Sequence, residues 1–376
     1  MTTELLDVVH VSGASALYLA LYLGTLCLHA VLMSYVLAGS GYVAAATVLG
    51  VRERDPAAHV LGDPVARVLR DWLPFGLGTA ITAGVAPLLF LQILYRESFY
   101  TANLLLFHRW MAMVPVLIAG FYLLYVGKSK AAQDGPRLVR AIAAVGAFLC
   151  FGFAAWSWTG NHMVALDRTR WLALYTSTGV PVPSLAMLAR LGTWLAGSAP
   201  IMAVIVGWQL RRPADSAGGD GGDGDDGDAH RRARRRLAVI ALAGLALSAG
   251  FGINHAYLLD QGARAALRSA AMVFLAPLGL GMALQGAAWL RLASAGAWSR
   301  AALIMASVGA GLAVIGTALA REVIRMAAVD FPREAAAHAR AAESGGIVAF
   351  FVFLVVNTGL IVWCLRATRR ALREKA

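Results

Sequence analysis

Charge is scarce in this chain. Asp, Glu, Lys and Arg make up 14% of its 376 residues, where about 25% is usual for a soluble globular protein. Cysteine is scarcer: Cys27, Cys150 and Cys364 each lie inside an apolar stretch, none with a partner at metal or redox spacing. Zinc and iron–sulfur sites need clustered thiolates, so both are excluded. No CxxCH occurs, which excludes covalently attached c-type haem. Before Ser12 stand Glu4 and Asp7 but no Lys or Arg, so the basic n-region of a cleaved signal peptide is not expected.

Apolar residues are abundant, at 59% of the chain. They fall in nine blocks: Ala14–Leu37, Leu73–Tyr95, Leu104–Val126, Leu138–Thr159, Leu185–Leu210, Leu237–Leu259, Ser269–Leu290, Ala301–Ala320 and Gly345–Leu365. A block of roughly 20 apolar residues spans the hydrocarbon of a bilayer as a helix. Open sheet edges are untenable in lipid, so the expected fold is an all-α polytopic bundle of about nine transmembrane helices. Small residues such as Gly76, Gly78, Gly279, Gly281, Gly309 and Gly311 suit close helix crossings. Gln92, Asn254, Gln285 and Asn357 are expected to bond between helices.

The basic residues set the orientation. Of 33 Lys and Arg, 22 lie after the first, third, fifth and seventh blocks or in the C-terminal tail. The positive-inside rule places these segments in the cytoplasm, with the N-terminus outside and the C-terminus inside. The net charge of +12 is thus a topology signal and requires no nucleic acid.

One long linker, RRPADSAGGDGGDGDDGDAHRRARRR (Arg211–Arg236), divides a five-helix part (1–210) from a four-helix part (237–376) with a basic tail. Its six aspartates fit no EF-hand spacing. Its composition reads as a flexible cytoplasmic hinge, with Arg231–Arg236 anchoring the topology and offering a contact for anionic lipid. The two halves show no convincing similarity, where a secondary transporter predicts inverted repeats.

Intramembrane polar groups are costly and mark sites. No Asp or Glu lies in the middle of any block; Glu97, Asp260 and Glu322 lie at outer helix ends. A proton relay of buried carboxylates is therefore not expected. Histidine is the remaining candidate. His29 lies within the first block, and His10, His108, His162 and His255 lie at or near outer helix ends. Imidazoles from facing helices are usual axial ligands of haem iron, whereas interfacial histidine also suits the headgroup zone. Arg321 and Arg325 are spaced i,i+4 and share a helix face. They suit haem propionates, a negatively charged partner docked outside, or an exposed, self-paired helix end with Glu322. Trp156, Trp158, Trp171 and Trp194 read as an aromatic belt.

Three stretches carry a resemblance: LHAVLMSYVLAGSG (Leu28–Gly41), GTAITAGVAPLLFLQILYRESFYTANLLL (Gly78–Leu106) and NHMVALDRTRWLALY (Asn161–Tyr175), followed by LARLGTW (Leu188–Trp194). Together they resemble the bacterial membrane proteins related to subunit I of cytochrome bd-type quinol oxidases. The resemblance covers about the first 210 residues. It implies b-type haem between helices near the outer surface, with His29 matching the first-helix histidine of that family. Thr193 stands where some members carry a fifth-helix histidine, and Phe90 where the quinol oxidases carry a glutamate. The resemblance thus implies haem binding and electron transfer rather than oxygen reduction.

Two readings follow. One is an inner-membrane subunit of a respiratory or electron-transfer system. It would bind haem b through His29, His108, His162 or His255 with Arg321 and Arg325, and partner other membrane or cytochrome subunits. The other is a cofactor-free multi-pass protein, a transporter or scaffold subunit.

Overall fold

The computed structural model describes residues 13–52, 63–177, 183–211, 225–295, 298–329, 331–343 and 347–373. The helices are α1 (Gly13–Arg52), α2 (Pro64–Leu94), α3 (Arg96–Leu105), α4 (Phe107–Lys128), α5 (Lys130–Asp134), α6 (Arg137–Leu166) and α7 (Trp171–Thr176). They continue as α8 (Leu185–Leu210), α9 (Asp225–Tyr257), α10 (Gln261–Ser269), α11 (Ala271–Ser294), α12 (Arg300–Ala328), α13 (Phe331–Glu343) and α14 (Ile347–Arg373). No strand occurs among the described residues. The chain is an all-α polytopic bundle.

Eight of these helices, α1, α2, α4, α6, α8, α9, α11 and α12, are long and apolar enough to cross a membrane. The ninth expected block is also helical, within α14. Short amphipathic helices α3, α10 and α13 follow α2, α9 and α12 at one end of the bundle.

Local signals fix many helix starts. Asp63 accepts from the Val65 N–H at 3.0 Å, with Pro64 at the first helical position of α2. Ser184, Asp260 and Ser299 cap α8, α10 and α12 in the same way. A side-chain oxygen there satisfies one of the donors that a helix start leaves without a partner. The linker departs from expectation. Its residues 212–224 lie outside the described residues, but from Asp225 onward the chain is already α9. The Ala- and Arg-rich run ARRR favours helix, and Asp228 pairs with Arg231 one turn on.

The core joins both halves of the chain. Tyr35, Leu69, Leu73, Met202, Leu237, Trp289 and Leu303 are buried in one cluster. Phe75, Leu104, Ile142 and Leu149 instead face outward, as lipid contact requires. α11 and α12 approach closely at two glycines. A Cβ on Gly281 would meet the Ala313 nitrogen at 2.5 Å, and one on Gly309 would meet the Gly281 carbonyl at 2.7 Å. Gly76 instead makes room for the Tyr35 ring, and Gly78, Gly279 and Gly311 have open space, so two of the six singled-out glycines serve a backbone crossing. Gln285 is buried at the same crossing with its carbonyl oxygen unbonded. It packs against Gly309 rather than closing the expected interhelical bond through that oxygen.

The basic helix ends share one end of the bundle. Arg236 of α9 donates to Asp63 at 2.7 Å and to Tyr42 of α1 at 3.0 Å, while Tyr42 donates to Asp63 at 2.6 Å. Lys128 of α4 donates to the Asp71 carbonyl at 3.0 Å, and Arg70 to Gln133 at 3.1 Å. Arg234 is buried and caps the end of α11 through the Leu292 carbonyl at 2.8 Å and the Ala295 carbonyl. A cation at a helix C-terminus meets the negative end of its dipole. This is the end that the positive-inside rule assigns to the cytoplasm.

Candidate functional site

The opposite end carries a buried polar cluster. α12 delivers Arg321, Glu322 and Arg325, which are 6%, 3% and 4% exposed. This corrects the expected exposure of the helix end, while the expected pairing within it is present between Arg325 and Glu322 at 3.4 Å. The face bearing these residues turns toward α1, α2 and α6, so partners from those helices reach them. Arg325 Nη1 donates to Tyr22 Oη on α1 at 2.9 Å and to Glu322 Oε2 at 3.4 Å. Arg325 Nη2 donates to His162 Nδ1 on α6 at 3.1 Å. Tyr95, at the end of α2, donates to Glu322 Oε1. A carboxylate only accepts, so the phenol of Tyr95 carries the proton of this bond.

Arg190 on α8 and His255 on α9 adjoin this network. Arg190 Nη1 lies 3.5 Å from His255 Nε2, and His255 Nδ1 lies 3.0 Å from the Ala186 carbonyl. A carbonyl only accepts, so Nδ1 carries the proton of His255 and Nε2 keeps the lone pair. His29 has the same arrangement. Its Nδ1 lies 3.0 Å from the Ala80 carbonyl of α2, which leaves Nε2 with a lone pair. Gly84 makes room for the ring, because a Cβ there would meet it at 2.8 Å. Arg321 is within electrostatic reach of His29. His162 is the opposite tautomer: Nδ1 accepts from Arg325, so the proton sits on Nε2, which is buried without a hydrogen-bond partner.

The sequence-derived candidates therefore divide. His162, His255, Arg321 and Arg325 come together with Arg190 at one end of the bundle, and His29 stands apart at the Ala80 carbonyl, with Arg321 within electrostatic reach. His108 does not join them: it is exposed on α4, edge-on to Phe107. His10 lies outside the described residues. Thr193 is bonded to its own helix at the Ala189 carbonyl. Sequence reasoning missed Tyr22, Tyr95 and Arg190 as members of the site. An arginine inside an apolar block was a readable signal for Arg190; nothing local marks the two tyrosines. Nor are all four tryptophans a simple belt. Trp158 stacks on Trp110 at 5.3 Å beside the cluster, while Trp156 lies under the Arg109 guanidinium.

A small cavity of about 20 Å³ opens between α2, α3, α6 and α12, bounded by Phe99, Trp158, His162, Arg321 and Arg325. Its rim is held by ion pairs of the amphipathic helices. Arg168 reaches Glu97 at 3.5 Å and Glu334 at 3.7 Å, and Ser98 donates to Glu334. Among the described residues no three His, Cys, Asp or Glu side chains form a metal-ion site. No family model matches the chain, and comparison with curated proteins and with solved structures returns no match either.

Proposed function

We propose that this multi-pass membrane protein is a subunit of a respiratory or electron-transfer system of the bacterial inner membrane, holding haem b near the outer face with His29 as an iron ligand. The supporting observation is the His29 tautomer. An iron-ligating histidine characteristically gives its other ring N–H to a carbonyl or carboxylate, which fixes the ring and its basicity. His29 does this at Ala80 from within an apolar helix, and His255 does it at Ala186. The residues present therefore fit a b-type haem in donor chemistry at His29, which offers a lone pair at Nε2; the Nε2 of His255 faces the Arg190 guanidinium at 3.5 Å, and His162 offers a proton.

A haem held there would carry single electrons through its iron. The chain's own part is to orient the imidazoles, to keep water out with the apolar bundle, and to set positive charge nearby through Arg321. Partners would be other membrane or cytochrome subunits that give and take the electron.

The test is the visible spectrum of the purified protein. A Soret band that moves on dithionite reduction, and is lost in His29→Ala, is the expected result. A folded preparation without pigment after expression with ample haem would overturn the reading. It would favour a cofactor-free membrane scaffold, supported by the closed Tyr22–Arg325–Glu322–Tyr95 network, which satisfies itself without a ligand.

A further inference from the structure

We propose that the cavity between α2, α3, α6 and α12 is an anion site, where Arg321 and the Nε2–H of His162 hold a carboxylate-type oxyanion. The inference stands on donors left over after every neighbouring bond is made. Arg321 Nε and Nη1 and His162 Nε2 are buried with no hydrogen-bond partner. Arg321 and His162 are 6% and 5% exposed, and both line the cavity. The nearby carboxylate is already engaged: Glu322 takes one bond from Tyr95 and one from Arg325. Arg325 is spent as well, on Tyr22, Glu322 and His162.

Charge points the same way. Arg190, Arg321 and Arg325 lie within electrostatic reach of one another, and Glu322 is the carboxylate hydrogen-bonded within this group. A buried cation without a counter-ion is strongly unfavourable. Water filling the cavity would answer the hydrogen bonds but not the charge. A carboxylate supplies acceptor oxygens and a negative charge at once, and its bonds to arginine are charge-assisted. The oxyanion has two possible sources, a small carboxylate from the aqueous phase or the carboxylate arms of the haem proposed above. The orphaned donors do not depend on which it is.

Formate is the probe, added to the full-length protein in lipid nanodiscs, both freed of haem and as purified. Ionic strength is held constant with isethionate. Haem-free protein should show a saturable rise in unfolding temperature and a shifted carboxylate stretch from isotope-labelled formate. Arg321→Gln should weaken apparent affinity by about tenfold or more, with Arg321→Lys between the two. Formate binding retained in pigmented protein assigns the site to a free carboxylate; binding lost there assigns it to the haem's arms. If the protein has no pigment at all, the haem reading fails while the formate result still decides this one. No saturable effect in haem-free protein, or an equal effect in folded Arg321→Gln, overturns the proposal. Should that variant not fold, a missing infrared shift in the wild-type protein overturns it alone.

Discussion

Arg325 Nη2 lies 3.1 Å from His162 Nδ1, and that bond decides which ring nitrogen carries the proton. Arginine has only donors to give, so His162 must accept at Nδ1 and present N–H at Nε2. The same guanidinium is shared with Tyr22 and Glu322. A single side chain thus sets the state of three others from three helices.

Removing Arg325 should therefore be severe. Arg325→Ala leaves Glu322 buried and uncompensated, and breaking a buried pair in this way costs about 3–5 kcal/mol. Arg325→Met with Glu322→Gln removes both charges and should recover a large part of the loss. Thermal unfolding of the single and double variants in one detergent checks this. Equal stability of the two would show that Glu322 does not depend on Arg325.

The α11–α12 crossing separates glycines by position. Gly281→Ala and Gly309→Ala drive a methyl into backbone at 2.5–2.7 Å, and overpacking costs about 1–3 kcal/mol. Gly279→Ala and Gly311→Ala meet open space and should be neutral or slightly stabilising, since Ala is the better helix former by about 1 kcal/mol. Unfolding curves for the four single variants test the contrast.

At the basic end, Asp63 should matter more than the arginine it pairs with. Arg236 is half exposed, and an exposed pair contributes about 0–1 kcal/mol. Asp63 also caps α2, and a lost cap costs about 1 kcal/mol more. Asp63→Ala should thus lower stability more than Arg236→Ala, and added salt should narrow the arginine effect first.

The amphipathic helix α13 should respond to pH from two directions. Burial holds the Glu334 carboxyl above its usual range. Its protonated form is favoured in the fold, so its contribution is full below the unfolded pKa and is lost as pH rises through the folded one. Burial lowers the His338 imidazole, so its contribution is full above the unfolded value and is lost as pH falls through the folded one. Hydrogen exchange over residues 331–343, corrected for intrinsic rates, should become flatter on the acid side in His338→Gln. It should lose the carboxylate limb in Glu334→Gln.

The helices were legible because a bilayer imposes one simple demand, a long apolar run whose backbone bonds to itself. Each of the nine blocks contains or overlaps a helix. The basic residues were legible for the same reason, and Lys128, Arg70, Arg234 and Arg236 gather at one end as their spacing required. The cluster was legible only in part. Polar residues within or at the ends of apolar blocks stand out, which singled out His29, His162, His255, Arg321 and Arg325. Their partners did not stand out, because a tyrosine reads equally as core or interface until the helices meet. The burial of Arg321 and Glu322 was missed because a charged run at a helix end usually faces water. Here the short helices beyond the spans, α3 and α13, extend the covered zone past the apolar block.

The backbone contact between α11 and α12 also bears on what lies at their seam. Two helices this close at Gly281 and Gly309 leave no space for lipid between them at the crossing, so their association exchanges helix–lipid contacts for helix–helix ones. Arg234 of α9 reaches the Leu292 carbonyl at the end of α11, so a third helix closes the end of that seam.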